Sequence, residues 1–139
     1  MQAINNKGLL AQFIDQVWNN ENLEAVNDYV APRYTIYHDP GDPWDGQSLD
    51  LAKFKERLTQ SRSAAPDQKF ELVDMISESD KVVAAWTWRG THLGDIAGIP
   101  ATGNTITMSG LTAYYFENKL LIGHWQVADR LAVYQQLAG

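Results

Sequence analysis

The chain has 139 residues, of which 45% are hydrophobic, and its formal net charge is −6. This length and composition fit one domain with a substantial core, so we expect residues 1–139 to form a single domain. The acidic balance argues against a nucleic-acid or anionic-membrane partner, and the absence of cysteine excludes disulfides, thiolate nucleophiles and zinc fingers. The N-terminus lacks the pattern of a signal peptide, and no apolar run approaches the roughly 20 residues of a membrane span, so we expect a cytoplasmic protein.

The first part of the chain predicts two helices and a short strand. Apolar residues recur at helical spacing from Leu9 to Trp18 and again from Leu23 to Val30, and Pro32 should follow the end of the second helix. Side chains from Tyr34 to His38 alternate as in a strand, which the turn-forming run 39–43 should stop.

The remainder predicts one more helix, a set of long strands and a terminal helix. Ser48 is the expected N-cap of a helix from about Leu49 to Arg62. Turn residues at 79–80 and 117–119 should join the strands as antiparallel hairpins, and helices followed by such strands predict an α+β domain. The predicted strands cover residues 68–77, 81–93, 105–117 and 119–130.

The strand that begins near Val82 has two faces that are both partly apolar. Trp86 and Trp88 share one face with Val82, whereas Val83 and Ala85 lie on the other. The front helices can cover only one face of such a sheet. We therefore predict that the second face is buried in a homodimer, with an ordinary mixed surface as the alternative.

Aromatic residues suggest a pocket for a small molecule. If the sheet curls around the helices, residues of one parity face an enclosed space. The chain has five Trp residues, which is more than packing of the core alone requires. Trp side chains are large and apolar with one polar edge, so they suit a largely apolar pocket with a few polar anchors. The candidate substrate-binding residues are Trp18, Tyr34, Trp86, Trp88, His92, Tyr115 and Trp125.

A carboxylate at the end of the last predicted strand is the main candidate for chemistry. Asp129 shares a strand face with Trp125, whereas His124 takes the other face and is interpreted as a structural or interface residue. A desolvated Asp has a raised pKa and accepts protons near neutral pH, with His38 as an imidazole beside it. The alternatives for Asp129 are a salt bridge with Arg130 or a cap on the terminal helix.

Two other classes of site are not favoured by the sequence. The three histidines and their neighbouring carboxylates match no metal-ligand spacing, so we expect no metal. No serine lies in a Gly-x-Ser-x-Gly elbow, which argues against a nucleophilic-serine hydrolase.

Several segments, individually weak, together resemble a known family and cover nearly the whole chain. They are Phe13-x4-Trp18-Asn19, Tyr34-x3-His38, Ala65-Pro66-Asp67, Asp80-Lys81-Val82-Val83, Gly90-Thr91-His92-x-Gly94, Gly98-Ile99-Pro100-Ala101-Thr102-Gly103, and Trp125-x3-Asp129 with Gln136-Leu137. In order and spacing they resemble the SnoaL-like polyketide cyclase, or ester cyclase, family of the nuclear transport factor 2-like superfamily.

The resemblance implies a fold and a reaction. The fold is a cone-shaped, cystatin-like α+β barrel, in which a curved antiparallel sheet wraps around N-terminal helices with a pocket in its mouth, usually in a homodimer. The reaction is an intramolecular aldol condensation without metal or organic cofactor, with an aspartate that falls at Asp129 as general acid and base. Characterised members use a histidine on the preceding strand, where this chain has Ala-Tyr-Tyr-Phe at 113–116.

We therefore expect a cofactor-independent cyclase or isomerase that acts on an apolar, polyketide-like carbonyl compound by proton transfer. A related hydrolase or hydroxylase, and a non-catalytic homodimeric module that binds a small molecule, are the alternatives, because this fold does not fix function.

Overall fold

The structure is a computed structural model that describes residues 5–138. Helix α1 continues directly into a π-helical segment, Ile14–Asn19, and a 3-10 turn at Leu23–Ala25 precedes α2. Within the described residues, no helix is long and apolar enough to cross a membrane. The helices are α1 (Asn6–Phe13), α2 (Val26–Tyr29), α3 (Leu51–Ala64) and α4 (Arg130–Ala138), and the strands are β1 (Val30–His38), β2 (Ser48–Asp50), β3 (Lys69–Glu78), β4 (Lys81–Thr91), β5 (Thr105–Glu117) and β6 (Leu120–Ala128).

The six strands form one curved, unclosed sheet in the order β2-β1-β6-β5-β4-β3. The predicted hairpins β3–β4, β4–β5 and β5–β6 are antiparallel, and β1 lies parallel to β6 in the middle of the sheet. The α+β architecture expected from the sequence is confirmed. The parallel pair brings the end of β1 beside the end of β6, and the candidate site is built there.

Two local predictions in the first half are wrong. The first strand begins at Val30, not at Tyr34: the second helix ends before Pro32 as predicted, at Tyr29, but Pro32 lies inside β1, where the register with β6 is irregular and a residue without an N–H is tolerated. Ser48 belongs to β2 and shares a hydrogen bond with Thr35 (Oγ–Oγ1, 2.9 Å). Asp50 caps α3 instead, accepting a hydrogen bond from the Lys53 N–H at 2.8 Å.

The core lies between the concave face of the sheet and the N-terminal helices. The predicted alternation along β4 is confirmed, since Val82, Ala84, Trp86 and Trp88 are buried while Thr87 is exposed. Helices α1 and α3 cover this face with fully buried side chains, among them Leu10, Phe13, Phe54 and Leu58. Their burial against the sheet is the main source of stability expected for this domain.

Two irregularities in the central strand pairs change which residues face the core. Between the pairs Phe116–Leu121 and Tyr115–Gly123, strand β6 carries one extra residue, Ile122. A single extra residue in a strand reverses the alternation beyond it. As a result, His124 is buried and its neighbour on β6, Trp125, is 43% exposed.

The second irregularity lies in β1 opposite the first. Ile36 pairs with His124 and His38 pairs with Trp125, so β1 has one extra residue, Tyr37, between the two pairs. His38 therefore faces outward with Trp125, and the next residue, Asp39, turns inward and is fully buried.

Candidate active site

A cavity of about 410 Å³ lies between the concave face of the sheet and the helices. This is within the size range of sites that bind small molecules. The π-helical segment contributes Ile14 and Trp18 to its wall, and such segments occur often at functional sites. Four of the predicted substrate-binding residues line the cavity, namely Trp18, Tyr34, Trp86 and Trp88.

A chain of three hydrogen-bonded, buried side chains begins at the cavity wall, which Tyr34 and His124 line, and continues to Asp39. The Tyr34 hydroxyl from β1 lies 2.6 Å from His124 Nδ1 on β6, and His124 Nε2 lies 3.0 Å from Asp39 Oδ2. Tyr34 is 2% exposed, His124 3% and Asp39 0%. The parallel pairing of β1 with β6, together with the two extra residues, places these side chains on one face of the sheet.

Asp39 holds this chain in place through further donors. Gln126 Nε2 donates to Asp39 Oδ1 at 3.1 Å, and Arg130 Nη2 donates to the same oxygen at 3.0 Å. Arg57 Nη2 from α3 lies 3.5 Å from Asp39 Oδ2. A buried carboxylate is stable only when it is paired and hydrogen-bonded, and Asp39 meets both conditions.

The surroundings of Asp39 and His124 determine their protonation. Burial by itself raises the pKa of Asp39, but the hydrogen bond with His124 and the charges of Arg57 and Arg130 outweigh burial and lower this pKa. Burial lowers the pKa of His124, and the charge of Arg57 adds to this effect, whereas the hydrogen bond with Asp39 opposes it. Asp39 is therefore ionised and His124 neutral at pH 7.

These protonation states fix the direction of the hydrogen bonds. Neutral His124 donates its Nε2–H to the Asp39 carboxylate, which leaves Nδ1 to accept the O–H of Tyr34. Burial holds the pKa of Tyr34 well above its ordinary value, so the hydroxyl stays protonated. The same cause raises the pKa of Tyr114, another residue on the wall, to about 12. A neutral imidazole, His124, therefore lies in the cavity wall with its unprotonated nitrogen hydrogen-bonded to the Tyr34 hydroxyl.

The lowered pKa of His124 predicts a dependence of stability on pH. Below the ordinary value of 6.5, the unfolded chain binds a proton on this histidine that the folded protein does not. The free energy of unfolding should therefore be highest above that pH and fall as the pH drops towards the folded pKa, by up to about 1.4 kcal/mol per pH unit. Urea denaturation between pH 5 and 8 measures this slope, and His124→Gln should make it shallower. An equal slope in the variant would contradict the predicted shift.

The structure places Asp129 outside the cavity. Its side chain is exposed on the outer side of the sheet, and its Oδ1 accepts a hydrogen bond from the Ala132 N–H at 3.1 Å. Asp129 is therefore the N-cap of α4, which was the alternative interpretation, and its predicted burial among aromatic residues is wrong. The reason is the extra residue Ile122, which turns Trp125 and Asp129 outward.

Three other predicted site residues also lie on the outer face. His38 stacks on Trp125, with ring centroids 4.2 Å apart and planes 10° from parallel. Tyr115 contacts Tyr37 edge to face at 5.5 Å. A more open hollow of about 650 Å³ lies here, lined by Tyr37, Tyr115 and Trp125. The ionisable side chains on its wall are not buried, so the smaller and less open cavity is the candidate site.

His92 is fully buried but does not line the cavity. Its Nδ1 lies 2.9 Å from the Thr102 hydroxyl and its Nε2 lies 3.2 Å from the Ile99 carbonyl oxygen. These contacts tie together the loop 93–104, from which Asp95, Ile96 and Ala97 reach the cavity wall. His92 therefore positions this loop and has only an indirect relation to the pocket.

The sequence pattern does not identify His124, Gln126, Arg57 or Asp39 as residues of the site. Uninterrupted alternation along the last strand predicts that His124 faces away from Trp125 and Asp129, which gives the structural interpretation. In the sequence, Asp39 belongs to a turn and is one of the carboxylates beside a histidine that match no metal-ligand spacing, and Arg57 lies within a predicted helix. The available signal was the Asp39 carboxylate at the end of a strand, which could have been paired with His124 had the two extra residues been recognised. Within residues 5–138, no group of three or more His, Asp or Glu side chains is arranged to hold a metal.

Comparisons with known proteins give one matching family model and several solved structures of the same fold. The family model described as SnoaL-like polyketide cyclase matches residues 8–137. A solved structure of a candidate polyketide cyclase from Acidithiobacillus ferrooxidans is 50% identical, with a TM-score of 0.90 over 99% of this chain and 98% of that one. No curated protein matches this chain.

More distant solved structures share the fold. IdmH from Streptomyces antibioticus, described as a candidate polyketide cyclase, is 22% identical, with a TM-score of 0.81 over 98% of this chain and all of that one. A SnoaL-like protein from Jannaschia sp. CCS1 is 16% identical, with a TM-score of 0.82 over 100% and 99% of the two chains. At these identities the likeness supports the fold alone.

Proposed function

Because the chain belongs to the SnoaL-like polyketide cyclase family, we propose that it is a cofactor-independent cyclase or isomerase that transfers protons through Tyr34, His124 and Asp39. The substrate would be a largely apolar carbonyl compound of a size that fits the 410 Å³ cavity. The observation that supports this proposal is the buried hydrogen-bond chain on the cavity wall, which joins a phenol, a neutral imidazole and an ionised carboxylate.

The proposed step is proton abstraction next to a carbonyl group. The α-carbon of the substrate gives its proton to the Tyr34 oxygen while the original Tyr34 proton moves to His124 Nδ1. The electrons of the broken C–H bond move into the carbonyl group and form an enolate. The resulting imidazolium is stabilised by the Asp39 carboxylate 3.0 Å from Nε2. Concerted transfer avoids a free Tyr34 anion, which burial disfavours.

The enolate can then react in two ways. In a cyclase, its carbon attacks a second carbonyl of the same molecule, a C–C bond forms, and the alkoxide oxygen takes the proton back through Tyr34. In an isomerase, the proton returns to a different carbon. Both outcomes leave Tyr34 and His124 as they began, so neither needs a co-reactant. The aromatic wall would hold the substrate folded for ring closure.

Asp129 and His38 remain the rival pair predicted from the sequence. Both lie on the outer face and neither lines the cavity, and Asp129 already caps α4. The rival assignment makes a different prediction from ours, because it requires loss of activity on substitution of Asp129.

Proton abstraction can be tested without knowing the natural substrate. The probe is 2-tetralone, a two-ring aromatic ketone with acidic α-protons, dissolved in D₂O with the protein. We expect the protein to accelerate replacement of the α-protons by deuterium above the buffer rate, as followed by ¹H NMR. Binding of 2-tetralone without acceleration would contradict the proposed proton transfer and favour a non-catalytic binding protein.

We also propose that the outer face of the sheet forms a homodimer. Apolar residues from β4, β5 and β6 lie side by side there, with Leu111 between Ala85 and Val127, and Ala113 opposite Trp125. Leu111 is 51% exposed and Trp125 43%. A contiguous exposed apolar surface of this kind is typical of an interface.

Substitution within this surface should dissociate the dimer. Leu111→Asp places a charge where the two copies would meet, so light scattering at micromolar concentration should give a dimer for the parent protein and a monomer for the variant. Thr59→Asp on the exposed side of α3 is the matched control and should stay dimeric. A monomeric parent protein would contradict the proposal.

A further inference from the structure

Among the residues of the cavity wall that the structure describes, Arg57 is the one with a buried side-chain polar atom that has no hydrogen-bond partner. It comes from α3, its side chain is 10% exposed, and its guanidinium carbon lies 5.5 Å from the centre of the Trp18 ring. Its Nη2 donates to Asp42 Oδ2 at 3.0 Å and lies 3.5 Å from Asp39 Oδ2. Both Arg57 and Trp18 line the cavity.

Arg57 has more N–H donors than the described residues around it have acceptors for. Its Nε is buried and has no acceptor among the described residues. A buried charged donor without a partner is costly, and in native structures it calls for a specific explanation such as a ligand. Two buried donors elsewhere on the wall are already engaged, since Trp86 Nε1 donates to Thr112 and Trp88 Nε1 donates to Gln68.

The charges around Arg57 indicate what kind of oxygen it would bind. Arg57 and Arg130 are balanced by Asp39 and Asp42, and His124 is neutral. A carboxylate ligand would therefore meet no net positive charge and would lie close to two other carboxylates. A neutral carbonyl oxygen accepts the hydrogen bond without that repulsion.

We propose that Arg57 donates a hydrogen bond to a neutral carbonyl oxygen of the substrate, which makes the ligand of this cavity an uncharged ketone or ester. The role of this contact in turnover depends on the proposed function. When the α-proton leaves to Tyr34, the C–H electrons move onto the oxygen held by Arg57, and its positive charge stabilises the enolate. Arg57 lies near enough to Tyr34 for its charge to act on that phenol.

A set of three probes of similar shape tests this proposal by binding alone. They are 2-tetralone, the hydrocarbon tetralin, which lacks the oxygen, and the anion 2-naphthoate, each titrated by quenching of tryptophan fluorescence. We expect 2-tetralone to bind about tenfold more tightly than tetralin and more tightly than 2-naphthoate. Equal affinities for ketone and hydrocarbon would overturn the hydrogen bond, and a preference for 2-naphthoate would overturn the neutral ligand class.

Two variants test whether Arg57 is the donor of this hydrogen bond. Arg57→Met should abolish the preference for 2-tetralone over tetralin, whereas Arg89→Met, on the exposed face of β4, should keep it. A preference that survives Arg57→Met would overturn the assignment.

A measurement on the unaltered protein covers the case in which Arg57→Met does not fold. The infrared carbonyl band of bound, ¹³C-labelled 2-tetralone should lie at lower frequency than in hexane, and it should stay there in Tyr114→Phe, which removes the phenol of another wall residue. A band at the hexane position would contradict the contact. These outcomes are separate from those of the exchange assay, since binding preference without exchange would refute only the proposed reaction, and exchange without the preference would refute only the role of Arg57.

Discussion

Replacing Tyr34 with phenylalanine is expected to slow the exchange of the 2-tetralone α-protons by about 10²- to 10⁴-fold, the usual range for loss of a general acid or base. The substitution removes only the oxygen that contacts His124 Nδ1 at 2.6 Å and keeps the aromatic ring that packs on Phe54. The imidazole then has no phenol through which to reach the substrate. ¹H NMR in D₂O measures the rates, and the fold is checked by the melting temperature, since one lost hydrogen bond costs about 1 kcal/mol.

Asp129→Asn is the control that separates the two assignments. Asparagine caps a helix about as well as aspartate, so stability should hardly change. If the proton moves through Tyr34, this variant should exchange 2-tetralone at the parent rate. The opposite pattern, with a slow Asp129→Asn and an unaffected Tyr34→Phe, would return the chemistry to the outer face.

The second large effect is expected on stability from Asp39→Asn. The parent carboxylate is fully buried, accepts hydrogen bonds from His124, Gln126 and Arg130, and lies beside Arg57. Asparagine fits the same space but leaves buried cationic groups without their counter-charge. Breaking a buried ion pair in this way typically costs about 3–5 kcal/mol. Urea denaturation at pH 7 measures the loss, and exchange of 2-tetralone should fall as well because the imidazolium is no longer stabilised.

A second Asp-to-Asn change shows whether this cost is specific. Asp50 is exposed and caps α3 through the Lys53 N–H, which asparagine can also do. Asp50→Asn should therefore change the free energy of unfolding by less than about 0.5 kcal/mol. A loss of the same small size in Asp39→Asn would show that the buried network contributes little to stability.

The fold was predictable because its main signals are local and regular. Helical spacing in α1 and α3, turn residues at 79–80 and 117–119, and strict alternation along β4 each follow from the period of one element. The family resemblance added the curvature of the sheet, and the family match over residues 8–137 agrees with it.

The site was not predictable in the same way, because it depends on how two strands pair. The extra residues Tyr37 and Ile122 lie on β1 and β6, and each reverses the alternation of its own strand. An uninterrupted alternation places His38 and Trp125 inside, whereas the paired strands place Asp39 and His124 there. No periodicity within one strand reveals such an irregularity.

The partners of the buried carboxylate were hidden for a related reason. Asp39 is stabilised by Arg57 from α3 and by Arg130 from the start of α4, which are far from it in sequence. In the sequence, an arginine within a helix looks like part of a solvated face. Only the packing of α3 and α4 against the end of the sheet shows that these charges meet.

The protonation of His124 is the most direct test of this account. A ¹⁵N NMR spectrum of the imidazole at pH 7 distinguishes its two neutral forms and the cation by the shifts of Nδ1 and Nε2. We expect a neutral ring that is protonated on Nε2, which faces Asp39, and unprotonated on Nδ1, which faces Tyr34. A ring protonated on Nδ1, or on both nitrogens, could not accept the proton of Tyr34 and would contradict the proposed transfer.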